Sequence, residues 1–555
     1  MRKLPLALLT ALSLTAAPAL AQGGPPGGKT TLAIGLTNMS ATLHPGFDPT
    51  QAQGFVLAMA RRGITGWTPE LQLVCRLCET LPTVQNGMVK PVTLPGGAKG
   101  WAVTYRLREG LAWGDGTPVT SRDVVFGWEV GKHPLSGYAQ GSLYTEEIEK
   151  VEAVDARTFT VTRRRASCDQ ADLSRFVILP EHVERPIFEK APAEYRTRST
   201  YVTNPANPGL WFGPFKVASV QPGASIVLDR NPGWRGTAPQ FERIAVRIFD
   251  NRQALEANLL SGAIDYVAGE QGFSVQQAKT LGERHADRFQ VAWTQGVGFN
   301  ALFVNLEDPI LGDARVRRAL YQAIDRPSIV KRVLYGRAVV RHNWVSPLEP
   351  AFDPAAGEVA YDPDAAAKAL EAAGWKPGPD GIRRNARGER LVVSLDWPAV
   401  GDDLVQQVMI DGWRRIGVET RANATAPRTY FSDVVPKRAF RGMAYLAWFP
   451  EPREVPVTSL GSRAVPTRDN NFAGRNFSGY RSQEMDSWLD KAATQCAPAE
   501  AKAAWSGLQR RFAADLPVLP LWSRQVPYVV PVWLDGLRPN AVTATSNWVE
   551  EWRRK

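Results

Sequence analysis

The chain has 555 residues, of which 44% are apolar, 22% charged and 9% aromatic, which is typical of a globular protein. This composition excludes collagen, a coiled coil and wholesale disorder, and the length predicts two or three lobes, since one core rarely grows beyond about 250–300 residues. The 66 basic and 55 acidic residues give a formal charge of +11. The basic residues are scattered rather than interleaved with aromatics, which argues against a nucleic-acid partner.

The first 21 residues predict a secretory signal peptide. Arg2 and Lys3 precede a mostly apolar run, and Ala19-Leu20-Ala21 has the small-x-small form that signal peptidase cleaves. No cysteine stands at the cleavage point, and no later segment has the roughly 18 consecutive apolar residues of a membrane-spanning helix. We therefore expect export to the periplasm and a mature protein that is not embedded in the membrane.

Strands and helices mix in the first half of the mature chain. Residues 30–36 predict an opening strand, and residues 101–108 alternate apolar and polar side chains as a half-buried strand does. A helix is predicted to begin after Thr120, because this hydroxyl stands three residues before Asp123 and an apolar run follows. β-Branched residues predict further strands at 158–162 and 225–229.

Amphipathic helices are expected in the second half. Apolar residues recur at helical spacing at positions 316, 319, 320, 323 and 324. Three more helices are predicted at 365–373 and 405–416, which end at Gly374 and Gly417, and at 485–492. We interpret their apolar stripes as core packing. Predicted strands and helices mix along the whole chain and no repeat period is present, so the sequence predicts an α/β chain of several lobes.

The four cysteines are Cys75, Cys78, Cys168 and Cys496. An exported protein meets an oxidising compartment, so we expect disulfides or buried thiols. Cys75 and Cys78 form a C-x-x-C pair, but no second pair of zinc ligands accompanies it and none of the five histidines lies near it in sequence. We therefore expect no metal site. Four cysteines allow three pairings, and the sequence leaves all three open.

The common sequence motifs of enzymes are absent. The chain contains no G-x-S-x-G, H-E-x-x-H or P-loop motif, and histidine occurs only five times. Paired carboxylates that meet in space are the remaining route to catalysis. Aromatic residues are abundant instead, with 18 tryptophans, several of them in segments bounded by Gly or Pro. Such side chains suit a ligand-enclosing cavity, and the filling of cores and turns is their alternative role. We predict no catalytic residue and no cofactor.

Several segments, read in order, resemble the peptide/nickel-type solute-binding proteins of ABC importers, the family 5 class typified by oligopeptide- and dipeptide-binding proteins. The most specific block is YRLREG at 105–110, followed by GDGTPVT at 114–120 and DVVF at 123–126. Weaker matches follow in the family's order, namely GPF at 213–215, IVLDRNP at 226–232, LLSGAID at 259–265, DARVRRAL at 313–320, AIDR at 323–326 and NFSGY at 476–480.

This resemblance implies an α/β, two-lobed periplasmic binding protein fold of the large peptide-binding type, with two hinge crossovers and a subdomain inserted in the first lobe. After the signal peptide at 1–21, the first lobe would comprise residues 22–50, 203–290 and 517–555. The subdomain would comprise residues 51–202 and the second lobe residues 291–516. A ligand closes such a hinge through its greater affinity for the closed state.

The resemblance also implies ligand-binding residues. In the family, a Trp-x-x-Asp sequence late in the second lobe often supplies an aromatic wall and a carboxylate that captures a peptide's amino group. Trp448 and Glu451 stand at the same spacing, and the alternative for Glu451 is a surface turn. The other four candidate contacts are Trp211, Phe212, Asn476 and Tyr480. For Asn476 and Tyr480, helix capping and core packing are the alternative roles.

We therefore expect a receptor that binds a peptide or a similar small solute and passes it unchanged to an inner-membrane ABC permease. We also expect a monomer without cofactor or metal. The first alternative keeps the fold and changes the cargo to a sugar, an opine or a metal chelate. The others are a secreted hydrolase of mixed α/β fold and an envelope scaffold.

Overall fold

The computed structural model describes residues 30–555, apart from residues 38, 40, 41, 140, 142, 270, 271, 400–402, 471 and 541, and describes residue 524 by its backbone alone. The predicted signal peptide lies outside the described residues. Helices and strands mix throughout the described chain, which confirms the predicted α/β class.

The first of three larger sheets has five strands in the order β11, β1, β10, β9, β8. β1 is parallel to both of its neighbours, whereas β8, β9 and β10 are antiparallel to one another. The predicted strands at 30–36 and 225–229 are confirmed. The bounds are β1 (Thr31–Leu36), β8 (Phe215–Gln221), β9 (Ser225–Arg230), β10 (Arg243–Ile248) and β11 (Tyr266–Val267).

A second, four-stranded sheet is antiparallel, in the order β4, β5, β7, β6. The predicted strand at 101–108 is confirmed within β5, where Val103 and Tyr105 point into a buried core. The predicted strand at 158–162 is also confirmed. The bounds, with those of a small hairpin beside the sheet, are β2 (Thr65–Trp67), β3 (Leu73–Cys75), β4 (Val89–Thr93), β5 (Lys99–Arg106), β6 (Ile148–Ala153) and β7 (Thr158–Arg163).

The third sheet has six strands in the order β13, β17, β12, β16, β14, β15. Helices pack against this sheet, and their apolar side chains form a hydrophobic core together with those of its strands. The bounds are β12 (Phe289–Val304), β13 (Val339–Val340), β14 (Val392–Pro398), β15 (Glu419–Thr425), β16 (Met443–Trp448) and β17 (Val518–Pro531), and a terminal pair comprises β18 (Leu534–Asp535) and β19 (Arg553–Arg554).

β12 and β17 connect two parts of the molecule. Near one end of their antiparallel pairing, Tyr528 and Val530 of β17 pack in the core of the five-stranded sheet. At the other end, Leu302 and Leu519 pack in the core of the six-stranded sheet. The pairing register shifts between Gln295 and Phe299, which marks a bulge midway. Two long strands therefore cross between the two cores, in agreement with the two hinge crossovers that the family resemblance implied, although no local pattern predicted a strand at either position.

The helices surround these sheets. α2 begins as predicted, because Thr120 and Asp123 form a capping box in which the Thr120 backbone N–H donates to Asp123 Oδ2 at 2.7 Å. The helices predicted around residues 316–324, 365–373, 405–416 and 485–492 are confirmed as α8, α10, α11 and α14. The bounds are α1 (Gln51–Ala60), α2 (Ser121–Lys132), α3 (Glu181–Lys190), α4 (Tyr195–Arg198), α5 (Thr200–Thr203), α6 (Arg252–Leu260), α7 (Val275–Arg284), α8 (Ala314–Gln322), α9 (Arg326–Ser328), α10 (Pro363–Ala372), α11 (Leu404–Arg415), α12 (Pro427–Thr429), α13 (Val457–Leu460), α14 (Gln483–Thr494) and α15 (Pro498–Asp515).

Two disulfides resolve the pairing that the sequence left open. Cys75 bonds to Cys78 beside the small hairpin, and Cys168 bonds to Cys496 across 328 residues of sequence. Cys168 follows the four-stranded sheet, whereas Cys496 lies between α14 and α15. The second bridge therefore ties the four-stranded subdomain to the helices of the six-stranded part.

Candidate functional site

A cavity of about 970 Å³ lies where the three parts of the fold meet. Its walls come from the end of α1, from the β2 hairpin, from the loop after β16 and from the middle of the crossing strands β12 and β17. Gly296 and Gly298 lie at the bulge of β12 and line it. A Cβ atom on Gly298 would lie 2.9 Å from Phe449 Cδ1, so glycine is what allows the aromatic ring to approach this strand.

Aromatic side chains form much of the cavity wall. Phe449 is 48% exposed, which is unusual for a large apolar ring, and it lies directly after β16. Aromatic rings bury a large apolar area at a small cost in rotamer entropy, so they suit the walls of a ligand site. The aromatic lining residues are Trp67, Tyr138, Tyr144, Phe176, Phe273, Tyr445, Phe449, Trp522, Tyr528 and Trp548.

The charged residues of the cavity wall are mostly basic. Among the described lining residues, the only carboxylate belongs to Glu451. Two of the arginines have carboxylate partners, since Arg76 lies 3.8 Å from Glu550 and Arg175 lies 3.3 Å from Glu147. The cavity therefore has a positive excess. The lining arginines are Arg61, Arg76, Arg175, Arg252 and Arg337.

Glu451 occupies a turn after β16, at the side of the cavity that faces the four-stranded subdomain. Its backbone N–H donates to Glu454 Oε2 at 2.9 Å, and this bond holds the turn. The side chain reaches the solvent of the cavity, yet the surrounding protein desolvates it and raises its pKa; Arg175 opposes this shift and Glu454 adds to it. No ion pair within 4.0 Å involves Glu451 among the described residues. Its carboxylate is available to a cation.

Of the six side chains predicted to contact ligand, the structure brings one, Glu451, to the cavity wall. Trp448, the last residue of β16, is 5% exposed and packs against Phe303 at 5.3 Å and Trp344 at 5.7 Å. Arg475 lies over its ring at 4.3 Å. This environment favours a packing role, and contact between Trp448 and a ligand stays a prediction.

Asn476 and Tyr480 are both buried in a turn before α14. The Asn476 Nδ2 donates to Gly461 O at 2.9 Å and Tyr480 O at 2.8 Å, and the Tyr480 backbone N–H donates back to Asn476 Oδ1 at 3.1 Å. The Tyr480 hydroxyl bonds to Asp515. These bonds occupy the polar atoms of both side chains, which favours the alternative capping and packing roles.

Trp211 and Phe212 are also buried and lie outside the lining of the cavity. Trp211 Nε1 donates to Pro205 O at 2.9 Å, and its ring packs on Tyr201 at 5.3 Å. Phe212 packs edge-on against Trp113 at 4.7 Å. The two neighbours enter different cores, since Trp211 belongs to that of the five-stranded sheet and Phe212 to that of the subdomain. Their contact with ligand stays a prediction.

Sequence reasoning missed the other aromatic and basic lining residues. Phe449 was adjacent to a predicted residue, and the alternation of a strand decides between the two: Trp448 faces the core, whereas Phe449 faces the cavity. Arg61 had one sequence signal, the Arg-Arg-Gly run directly after an apolar segment. The bulge glycines at 296 and 298 interrupt an apolar run, which is a known mark of close backbone approach.

Within the part of the chain that the structure describes, no group of three or more His, Cys, Asp or Glu side chains could hold a metal ion. Nor does any described helix combine the length and the apolar character needed to cross a bilayer. The described lining residues offer aromatic faces, guanidinium groups, one carboxylate, and amide and hydroxyl side chains.

Residues 98–463 match the sequence profile of the bacterial extracellular solute-binding proteins, family 5, in its middle region. The chain belongs to this family. This match confirms the resemblance inferred from the motifs. As a member of the family, the chain is a solute-binding protein. The family is one of binding proteins rather than enzymes.

Relatives and solved structures agree with this assignment. The oligopeptide-binding protein OppA of Mycobacterium tuberculosis is 25% identical over 437 residues, which cover 76% of this chain and 68% of that one. The oligopeptide-binding protein of Thermus thermophilus, in complex with a pentapeptide, has a TM-score of 0.75 and 25% identity over 94% of this family 5 protein and 96% of its own chain. NikA of Brucella suis, in complex with Fe(III)-EDTA, has a TM-score of 0.75 and 16% identity, over 95% of this chain and 100% of its own. At this identity the likeness supports the fold alone. The predicted two-lobed binding-protein fold is confirmed.

Proposed function

We propose that this family 5 protein is the receptor of an ABC importer, which takes up peptides in its cavity and delivers them unchanged to an inner-membrane permease. The observation that carries the proposal is the aromatic-lined cavity between the two lobes, with the crossing strands in its wall. Its volume of about 970 Å³ lies at the upper end of the range of roughly 300–1,000 Å³ for small-ligand sites, so it suits a ligand larger than one amino acid. The oligopeptide-binding names of its relatives support the same cargo.

Glu451 is the residue that we assign to the amino group of the peptide. It is the only carboxylate among the described lining residues, it has no ion-pair partner among them, and the protein around it removes part of its hydration. A ligand ammonium would form a charge-assisted hydrogen bond with it, which is stronger than a neutral one. The peptide backbone would bind main-chain groups of the cavity wall, and its side chains would occupy wet pockets between the aromatic rings.

The same proposal covers location and assembly. The receptor would be exported to the periplasm through the signal peptide at 1–21 and act as a monomer without catalysis. Its first lobe would comprise residues 22–50, 203–290 and 517–555, its subdomain residues 51–202 and its second lobe residues 291–516. Packing of Trp552 in the same core as Leu32 supports the return of the chain end to the first lobe.

Native mass spectrometry of the freshly purified protein tests the proposal, followed by incubation with a library of peptides of three to six residues. We expect intact peptides to bind one per protein. Recovery of cleaved products would instead support the hydrolase, and a bound compound that is not a peptide would change the cargo.

A pair of phenylalanine variants locates the site. Phe449→Ala removes an exposed ring of the cavity wall, whereas Phe431→Ala removes a ring of similar exposure, 54%, outside it. We expect the first variant to weaken peptide binding by at least tenfold and the second to leave it unchanged, as measured by calorimetry. Equal affinities would place the site elsewhere.

A further inference from the structure

Arg61 is held rigidly at the cavity wall. It directly follows α1 in extended conformation, and its backbone N–H donates to Leu57 O at 2.9 Å. The N–H of Gly213 donates to the preceding carbonyl, Ala60 O, at 2.8 Å. A Cβ on Gly213 would lie 2.6 Å from the Arg61 nitrogen, so this glycine permits the close approach of the two chains. The start of the Arg61 side chain is therefore fixed by backbone contacts on both sides.

The guanidinium of Arg61 has no hydrogen-bond or ion-pair partner among the described residues. Its neighbour Arg62 illustrates the difference, because Arg62 is buried away from the cavity and pairs with Glu550 at 2.5 Å. Arg252 and Arg337 also lack a carboxylate within 4.0 Å in the described chain, but both are exposed to bulk solvent. Arg61 and Arg76 are the half-buried arginines among the described lining residues, and of the two only Arg76 has a carboxylate within 4.0 Å. A half-buried cation without an anion is costly.

Tyrosine hydroxyl groups surround Arg61. Burial lowers the pKa of Arg61, and the phenols of Tyr201, Tyr144 and Tyr138 oppose that shift. A guanidinium in a protein nevertheless stays protonated. The nearby His44 is held neutral, since burial and the charge of Arg61 lower its pKa. The hydroxyl of Tyr138, another lining residue, is buried and has no partner among the described residues.

We propose that Arg61 and Tyr138 form a subsite for a carboxylate of the ligand, so that the cargo is a peptide that carries a free carboxylate. The guanidinium offers a planar pair of N–H donors that matches a carboxylate, and the phenol offers a third donor. With Glu451 as the acceptor for the amino group, the cavity would bind a positive and a negative group of one ligand at separate places. The inference rests on the proposed peptide function. The carboxylate is that of an acidic side chain or that of the C-terminus, and both have the same chemistry.

Four tetrapeptides separate these sources by calorimetry. They are Ala-Ala-Glu-Ala and Ala-Ala-Gln-Ala, each with a free C-terminus and with a C-terminal amide. We expect loss of the carboxylate that Arg61 binds to weaken binding to the unsubstituted protein by about 10- to 100-fold, the range for hydrogen bonds to charged groups. We expect Arg61→Gln to weaken binding of the peptide that has this carboxylate by the same factor. The variant should then bind the peptides with and without the carboxylate equally well. Arg414→Gln, which removes the same charge from the exposed face of α11, leaves the discrimination intact.

Equal discrimination in Arg61→Gln and in the unsubstituted protein would overturn the subsite while leaving the peptide function in place. If none of the four peptides binds, the peptide function fails, and citrate then tests the subsite in the same calorimeter. Citrate binding that Arg61→Gln abolishes supports the subsite, and the absence of citrate binding overturns it. If Arg61→Gln does not fold, Arg61→Lys and Tyr138→Phe replace it: each keeps the packing and is expected to reduce the discrimination at least threefold, and unchanged discrimination in both overturns the subsite.

Discussion

The disulfide between Cys168 and Cys496 is expected to be the main covalent restraint between the two sides of the cavity. Cys168 lies seven residues before Arg175 of the cavity wall, and Cys496 lies between α14 and α15, which pack in one core with residues of β12 and β16. Two other contacts accompany the bridge: the Cys168 N–H donates to Ala493 O at 2.8 Å, and Arg165 pairs with Asp490 at 2.6 Å. That ion pair is more than half exposed, so it contributes little.

The two disulfides of the protein differ in loop length, which makes one a control for the other. The chain-entropy relation gives about 6 kcal/mol at 25 °C for the loop closed by Cys168 and Cys496, whose separation is 328 residues. It gives about 2 kcal/mol for Cys75 and Cys78, whose separation is 3. Replacement of both cysteines by serine is therefore expected to lower the free energy of unfolding much more in C168S/C496S than in C75S/C78S.

Guanidinium unfolding followed by tryptophan fluorescence measures this difference, and small-angle scattering of the unliganded protein measures the opening of the lobes. We expect C168S/C496S to have a lower unfolding midpoint and a larger radius of gyration than the unsubstituted protein. C75S/C78S is expected to keep the original radius. If C168S/C496S unfolds at the same midpoint as C75S/C78S and has the original radius, the bridge is no restraint and the reasoning is refuted.

Three further outcomes are expected. Glu451→Gln should weaken binding of a peptide with a free amino group by about tenfold and leave its N-acetylated form unaffected, since a charge-assisted bond is lost; equal affinity for the free amine in calorimetry would remove Glu451 from the site. Because the pKa of Glu451 is raised, affinity for the free amine should fall as the pH drops through that raised pKa, at a higher pH than for an ordinary glutamate, and Glu451→Gln should lack this step in a pH series. Thr120→Ala should lower the free energy of unfolding by about 1 kcal/mol in a denaturant titration, because the capping box of α2 loses its hydroxyl, and an unchanged midpoint would contradict that role.

Local patterns were sufficient for elements whose stability is set by near neighbours. The capping box at Thr120 and Asp123 specifies its own helix start, and the alternation of β5 specifies which residues are buried. The crossing strands β12 and β17 could not be found in this way. Their partners lie more than 200 residues apart, and the glycines at 296 and 298 break the periodicity because the strand bulges there.

The sequence by itself determined the family, the α/β class and five of the fifteen described α-helices, because ordered motifs and apolar periodicity are properties of the chain alone. Only the tertiary structure decided which side chains face the cavity and which cysteines meet. Trp448 and Phe449 are adjacent apolar rings, but Trp448 points into the core and Phe449 lines the cavity. A shift of one residue in strand register would exchange the two environments. Arg61 and Arg62 are likewise adjacent cations: Arg62 pairs with Glu550 on a distant segment, whereas Arg61 faces the cavity and has no carboxylate partner among the described residues.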